Sequence, residues 1–319
     1  MARERSEYIR TSTIIPFPPQ TEGGEVTARH ELRETRCHEA LQESTRTFTL
    51  DMSDRLSLRL YSDTHPHNLE ISPLHKGLSL MLGGRELIEE GTGFGVPVVK
   101  YDDRTYFSTS AQSFVGEVGN RLALIKIFSL DAISRKRLGN LSYINDDLYS
   151  LFHSIFENAY LGHKRLAPLF NAMMELRRAL KVDTDFVKAK PRGNIKATYS
   201  CLRDAVEVAL DFSELKTEGC QEILILNEQG STFFTNYLDS SGLCLRRREI
   251  GAWERVRAVE ASLSDAGGAL CFTLKNLKDA ALFRGWEGTR GRFSWAGFGY
   301  SLPPEVSTFS YSIKLRSLR

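Results

Sequence analysis

From Thr47 onward the chain alternates, with Phe48 and Leu50, then Leu56, Leu58 and Leu60, each separated from the next by one residue. A period of two puts every second side chain on one face of a strand, so these stretches predict half-buried β-strands. Similar patterning predicts strands over 77–82, 85–89, 96–101, 104–108 and 121–128, with Gly83-Gly84 and Asp102-Asp103 as turns. Turns this short join antiparallel neighbours. The period then changes: Leu148, Leu151, Phe152, Ile155, Phe156 and Ala159 step by three and four, as do Leu166, Leu169, Phe170, Met173 and Leu176, which predicts helix. Alternation returns after Asn194, in 206–212, 223–226, 232–234, 243–245, 255–263, 269–274, 292–298 and 309–315, punctuated by turns at Glu228-Gln229-Gly230 and Asp265-Ala266-Gly267-Gly268.

Many short strands without repeated strand–helix alternation exclude a doubly wound α/β fold as the leading class. The expectation is a mainly β protein, a large antiparallel β-sandwich or two β lobes, with an inserted α-helical segment. In linear order this gives an N-terminal arm over 1–45, a first β region over 46–130, a helical insertion over 140–190 and a second β region over 194–319 packed with the first. The arm is read from its charged start and from Pro16, Pro18 and Pro19, which disfavour regular structure.

Composition narrows the class only a little. Hydrophobic residues at 41% and charged residues at 26% of 319 suit a globular protein with a sizeable core. Forty-two basic against 40 acidic residues leave a net charge of +2, so no global field favours nucleic acid or an anionic membrane. With no apolar run near the roughly 18 residues of a membrane helix and no apolar core at the start, the chain reads as soluble and cytoplasmic. Five scattered cysteines without a Cys-x-x-Cys pair argue against a disulfide framework, and Cys244 and Cys271 read as small core residues.

Gly91-Thr92-Gly93-Phe94-Gly95-Val96-Pro97 has the composition of a phosphate cradle, but such a cradle must open a helix and this one leads into Val98-Val99-Lys100-Tyr101, a strand. The alternative is a sharp bend or bulge that needs positive φ, with Phe94 in the core. Gly297-Phe298-Gly299 repeats the pattern in the second β region.

The sequence identifies no cofactor; a divalent metal is one reading of residues 65–70, and a polar turn over 62–68 joining two strands is the other. His65-Pro66-His67 would project two imidazoles to one side, with Glu70 as a third ligand. With Gly77 this is similar to the cupin metal motif, which would imply a metal-dependent β-barrel enzyme. Only two residues separate His67 from Glu70, the later histidine motif of that family is missing, and Pro66 sits poorly in a central strand.

A ligand cleft is the other reading of residues 89–102. Phe94 and Tyr101 would supply flat surfaces, and Glu89, Glu90 and Asp102 would supply acceptors, a combination that suits a small polar ligand such as a sugar. Arg284, Trp286 and Trp295 repeat the theme among glycines. If chemistry occurs there, it is acid/base chemistry of the epimerase, lyase or hydrolase kind, with Glu89, Glu90 or Asp102 as base and His75, His65 or His67 as acid. Gly84-Arg85-Glu86-Leu87 followed by Gly95-Val96-Pro97 resembles the early part of sugar epimerases of the galactose mutarotase type, which are β-sandwich enzymes. That family's central histidine acid has no counterpart that can be placed, and helix is expected where such enzymes continue in β structure, so membership is not read from it.

Arg246-Arg247-Arg248, with Arg255 and Arg257, reads either as an anion site or as the solvated face of a sheet. The competing class is a non-catalytic protein whose partners, another protein or further copies of itself, meet the helical segment and exposed sheet edges.

Overall fold

The computed structural model describes residues 41–43, 47–53, 55–61, 74–102, 104–118, 121–138, 142–143, 182–202, 204–251, 253–288 and 294–317. Strands β1 (Leu41–Glu43), β2 (Thr47–Asp51), β3 (Leu56–Tyr61), β4 (Ser79–Leu82) and β5 (Arg85–Glu86) form a five-stranded antiparallel sheet in that order. The alternation decides it: Phe48, Leu50, Leu58 and Leu60 are all buried on one face.

The larger sheet takes β6 (Gly93–Tyr101), β7 (Thr105–Val118), β8 (Arg121–Leu138), β9 (Ser142–Tyr143), β10 (Val182–Lys188), β11 (Asn194–Cys201) and β12 (Ala205–Asp211). It continues with β13 (Cys220–Gln229), β14 (Asn236–Asp239), β15 (Cys244–Arg246), β16 (Glu254–Arg255) and β17 (Glu260–Ser264). The last strands are β18 (Leu270–Lys275), β19 (Ala281–Gly288), β20 (Ser294–Leu302) and β21 (Thr308–Ser317). Across the sheet the order is β15-β14-β17-β18-β21-β12-β11-β8-β7-β6-β13-β20-β19-β16, with β9 and β10 paired to β8.

The chain divides into two compact units, Met1–Asp131 with Pro191–Arg319, and Ala132–Lys190. In the second, the end of β8 pairs with β9 and β10, Val182 opposite Leu138 and Lys188 opposite Ala132. This corrects the expected helical insertion in part: of residues 140–190, Ser142–Tyr143 and Val182–Lys188 are strands. Val182, Thr184 and Val187 are β-branched, and the run alternates in the strand period. The leucine-rich stretches at 148–159 and 166–176 lie outside the described residues, as does the arm before residue 41. Among the described residues there is no α-helix, only a 3-10 turn at Arg247–Ile250. No helix among them is long and apolar enough to cross a membrane.

Strands β7 and β8 run 14 and 18 residues, far beyond the stretches expected at 104–108 and 121–128. Thr109-Ser110 lacks an apolar partner pattern because its polar groups turn to Asp131. That buried carboxylate accepts the Thr109 N–H at 2.8 Å, the Thr109 hydroxyl at 2.9 Å and the Ser110 hydroxyl.

Residues 91–97 form a bulge. Val96 lies opposite Leu226 on β13 and Phe94 opposite Asn227, so Gly95 is the extra residue, at φ 75°. A Cβ there would meet the Tyr199 ring at 2.9 Å in a backbone conformation that side chains disfavour. The N–H left without a ladder partner donates to Asn227 Oδ1 at 3.1 Å. At the next two positions of β13, Glu228 Oε2 accepts the Thr92 N–H at 3.0 Å and Gln229 Oε1 accepts the Leu80 N–H at 3.1 Å. Glu228-Gln229 is therefore not a turn but the buried end of a strand.

The echo of Gly-Phe-Gly has a structural meaning, because β6 and β20 flank β13 and both Phe94 and Phe298 lie opposite Asn227. Their rings meet Phe272 of β18 at 5.3 and 5.7 Å. Strand β18 is not a ladder neighbour of either, so these edge-to-face contacts cross the core between separate parts of the sheet. Tyr311 of β21 reaches across in the same way, donating its hydroxyl to Asn227 Oδ1 at 2.6 Å. Lys126 joins the sheets: its buried ammonium donates to the Tyr61 carbonyl at 3.0 Å and the Lys76 carbonyl at 2.6 Å.

Asn227→Leu strands a buried N–H and a buried hydroxyl together, so urea denaturation is expected to show a loss of about 2–5 kcal/mol, against about 1 kcal/mol for Tyr311→Phe. Equal losses would show that the Gly95 bond contributes nothing.

Candidate functional site

The residues proposed from sequence do not gather in one place. His65, His67 and Glu70 lie outside the described residues, and among the described residues no group of three His, Cys, Asp or Glu is arranged to hold a metal. Phe94 is fully buried, its ring edge-on to Phe272. Tyr101 is buried with its hydroxyl donating to the Lys216 carbonyl at 2.6 Å and Arg192 over its ring at 4.6 Å. Asp102 is exposed and accepts from Gln221 at 3.0 Å. It follows the end of β6, whose nine residues separate it from Glu89 and Glu90 by about 30 Å. His75 is buried, and the neighbouring residue, Lys76, is the one that reaches Glu89, donating to its carbonyl at 2.7 Å.

Four of the proposed residues, Glu89, Arg284, Trp286 and Trp295, lie on or beside the hairpin of β19 and β20, on both of its faces. Glu89 accepts the Ser294 hydroxyl at 2.6 Å, the Thr232 N–H at 3.3 Å and the Thr232 hydroxyl. Ser294 lies directly opposite Gly288 and also hydrogen-bonds Ser231 at 2.9 Å. Two positions back from Gly288, the Trp286 indole donates its N–H to the Phe234 carbonyl at 3.1 Å. Trp295, on the other face of the hairpin, donates to Glu287 at 3.1 Å and stacks on Trp253 at 4.9 Å between centroids and 19° between planes. Arg284 is committed to the protein, donating to the Ile250 carbonyl at 3.0 Å and to Glu254 at 2.6 Å, with Tyr237 against its guanidinium.

Glycine makes room for the indoles. A Cβ at Gly285 would meet the Trp295 ring at 2.6 Å, and one at Gly288 would run into Trp286. The Arg-Gly-Trp-Glu-Gly run therefore reads as a bed for two tryptophans, one on each face.

A cavity of about 520 Å³ is lined by Trp286, Gly288, Arg246, Arg247, Arg248 and Glu249. In sequence the arginine triplet reads either as a sheet face or as an anion site, and nothing local pairs it with Trp286. A second cavity of about 680 Å³, bounded by Lys100, Glu222, Arg255, Lys278 and Ser301 among others, has no aromatic wall among the described residues. Of the two cysteines expected in the core, Cys244 is exposed on the short strand that leads to Arg246 and Cys271 is half-buried.

Among the described residues three non-glycines hold a left-handed backbone, Glu89 at φ 46°, Arg247 at 49° and Trp253 at 56°. Such residues cost of order 1–2 kcal/mol each and persist where surrounding structure enforces them. All three border this hairpin, Glu89 through Ser294, Arg247 through the cavity and Trp253 through Trp295.

The electrostatics behind the hairpin are set by burial. Lys76 is pushed down to about 8 by loss of solvent, against upward pulls from Glu90, Glu86 and Glu228. Burial raises the Glu228 carboxyl above the usual range, opposed by its hydrogen bonds from Thr92 and by Lys76, and reinforced by Glu287.

No family model matches the sequence, and no curated protein sequence matches it. Among solved structures, the chain is similar to the α-N-acetylgalactosaminidase NagBb of Bifidobacterium bifidum in its GalNAc complex, at 8% identity and TM-score 0.46. It covers 84% of this chain but 36% of that one, so this chain spans about a third of that protein's length. A galactose mutarotase-like protein of Lactobacillus casei shows 8% identity and TM-score 0.39 over 85% of this chain and 99% of that one. The Slr1438 protein of Synechocystis shows 9% identity and TM-score 0.36 over 92% and 100%. With each of these TM-scores below 0.5, no residue here takes a role from these proteins.

The unfolded chain holds the Lys76 proton up to the ordinary value of 10.5, whereas the folded chain releases it near 8. This group therefore makes stability rise with pH between those values, by at most about 1.4 kcal/mol per pH unit. Urea denaturation at pH 8, 9 and 10 is expected to show that rise flattened in Lys76→Met. An unchanged slope would assign it to other groups.

Proposed function

We propose that this chain is a β-sandwich protein that binds a small polar ligand with a flat apolar face, a carbohydrate being the class that fits, in the cavity beside Trp286. The observation that carries the reading is the convergence of the three left-handed non-glycine residues on one hairpin that also presents its indoles over glycine beds. Because its N–H is already bonded to Phe234, the Trp286 indole has its ring, and not its polar edge, to offer the cavity. An apolar ring face beside polar groups suits the C–H face and hydroxyls of a sugar. Glu89 holds Ser294 and Thr232 and so supports the hairpin that carries the ring.

An acid/base role has one observation in its favour, the raised Glu228 carboxyl with Glu287 nearby, since a carboxyl that keeps its proton can act as a general acid. Neither residue bounds the cavity, so binding is the reading preferred.

Calorimetric titration with glucose, galactose and glucuronate is expected to give saturable binding by at least one of them, weakened about ten-fold or more in Trp286→Ala, as loss of an aromatic wall worth ~1.4 kcal/mol or more requires. Trp286→Phe should keep most of the affinity. Binding that Trp286→Ala leaves unchanged would place the ligand elsewhere.

A further inference from the structure

We infer that the ligand of the Trp286 cavity is negatively charged, an acidic saccharide bearing a carboxylate or sulfate that the arginine turn grips while the indole packs against its body. The inference rests on the site proposed above and adds to it the charge of the ligand.

On a regular strand consecutive side chains alternate, so Arg247 would point away from the face shared by Arg246 and Arg248. The turn prevents that. Arg246 is extended, Arg247 switches to φ 49° with its N–H fixed to the Thr235 carbonyl at 2.8 Å, and a 3-10 turn follows through Ile250. As a result all three arginines bound one cavity. The left-handed residue is thus what converts a solvated basic run into a concave basic wall.

Three arginines and one glutamate border the space. Glu249 turns Oε2 to the Arg246 N–H at 3.1 Å, within the turn itself. The wall therefore carries an excess of positive charge that the rest of the chain does not share, since the net charge of all 319 residues is only +2. Guanidinium groups match a planar or tetrahedral oxyanion with paired N–H donors, and such charge-assisted bonds are stronger than those to a neutral hydroxyl. The same cavity is bordered by the indole held by Phe234, and a ligand that satisfies both combines an oxyanion with an apolar face.

The test is calorimetric titration of the full chain with glucose, glucuronate, glucose 6-sulfate and inorganic sulfate, in low salt and in 1 M NaCl. Glucuronate and glucose 6-sulfate are expected to bind about ten-fold or more tighter than glucose, with most of that advantage lost in 1 M NaCl. Arg247→Gly, which suits the left-handed backbone and removes the guanidinium, is expected to abolish the preference while thermal unfolding stays that of a folded chain. Arg248→Gln should weaken it without any backbone change. Equal binding of glucose and glucuronate overturns this inference and leaves the proposed function standing. Binding by none of the sugars overturns both, and inorganic sulfate matching the acidic sugars overturns it in favour of a bare anion site.

Discussion

The buried amide of Asn227 accepts a hydrogen bond from the Gly95 backbone and another from the Tyr311 hydroxyl, and it lies opposite both Phe94 and Phe298. A bulge in a buried strand ordinarily leaves an N–H without a partner, at a cost comparable to a lost hydrogen bond. Here the strand alongside supplies the missing acceptors from its own side chains, Asn227, Glu228 and Gln229 in succession. Because the compensation comes from consecutive residues, bulge and neighbour hold a single register. The bulge in turn lets Tyr199 approach the backbone of β6, where its hydroxyl donates to the Phe94 carbonyl at 3.0 Å.

Cations play the corresponding part between the sheets. Lys126 and Lys76 are buried, and both direct their ammonium groups at backbone carbonyls. A charge so placed is costly unless its donors are matched. The segment between β3 and β6 is anchored by these two groups, and it is the segment that delivers Glu89 to the hairpin of β19 and β20.

Where one face is apolar and the other polar, the strands were legible from alternation alone: Phe48 and Leu50, Leu56 to Leu60, and Val206, Val208 and Leu210 all alternate as their burial does. The bend at residues 91–97 was legible too, since two glycines around a phenylalanine leading into a strand leave few alternatives. Illegible parts share one cause, polar residues buried for their hydrogen bonds. Glu228-Gln229 carries the composition of a turn and is the core end of a strand, and Thr109-Ser110 looks too polar for the middle of a long strand until Asp131 is seen beside it. The candidate site was visible in outline as tryptophans among glycines. Its basic wall was not, because alternation scatters Arg246, Arg247 and Arg248 and only a left-handed Arg247 brings them together, a conformation that an arginine codon does not announce. Tyr101 and Phe94 misled for the opposite reason, as aromatics near carboxylates look like a ligand surface whether they face a cavity or fill a core.

The clamp of β13 between two Gly-Phe-Gly strands also constrains the order of events during synthesis. Gly95 meets its acceptor 132 residues downstream, and Glu89 meets Ser294 only after 205 more residues have been made. Contacts this distant in sequence form slowly, and until they form the first strands display unpaired edges and an unfilled aromatic socket. Strands β20 and β21 thus emerge into a half-built core that has waited for them, and a chain truncated before Phe298 has an open seam that other chains can occupy.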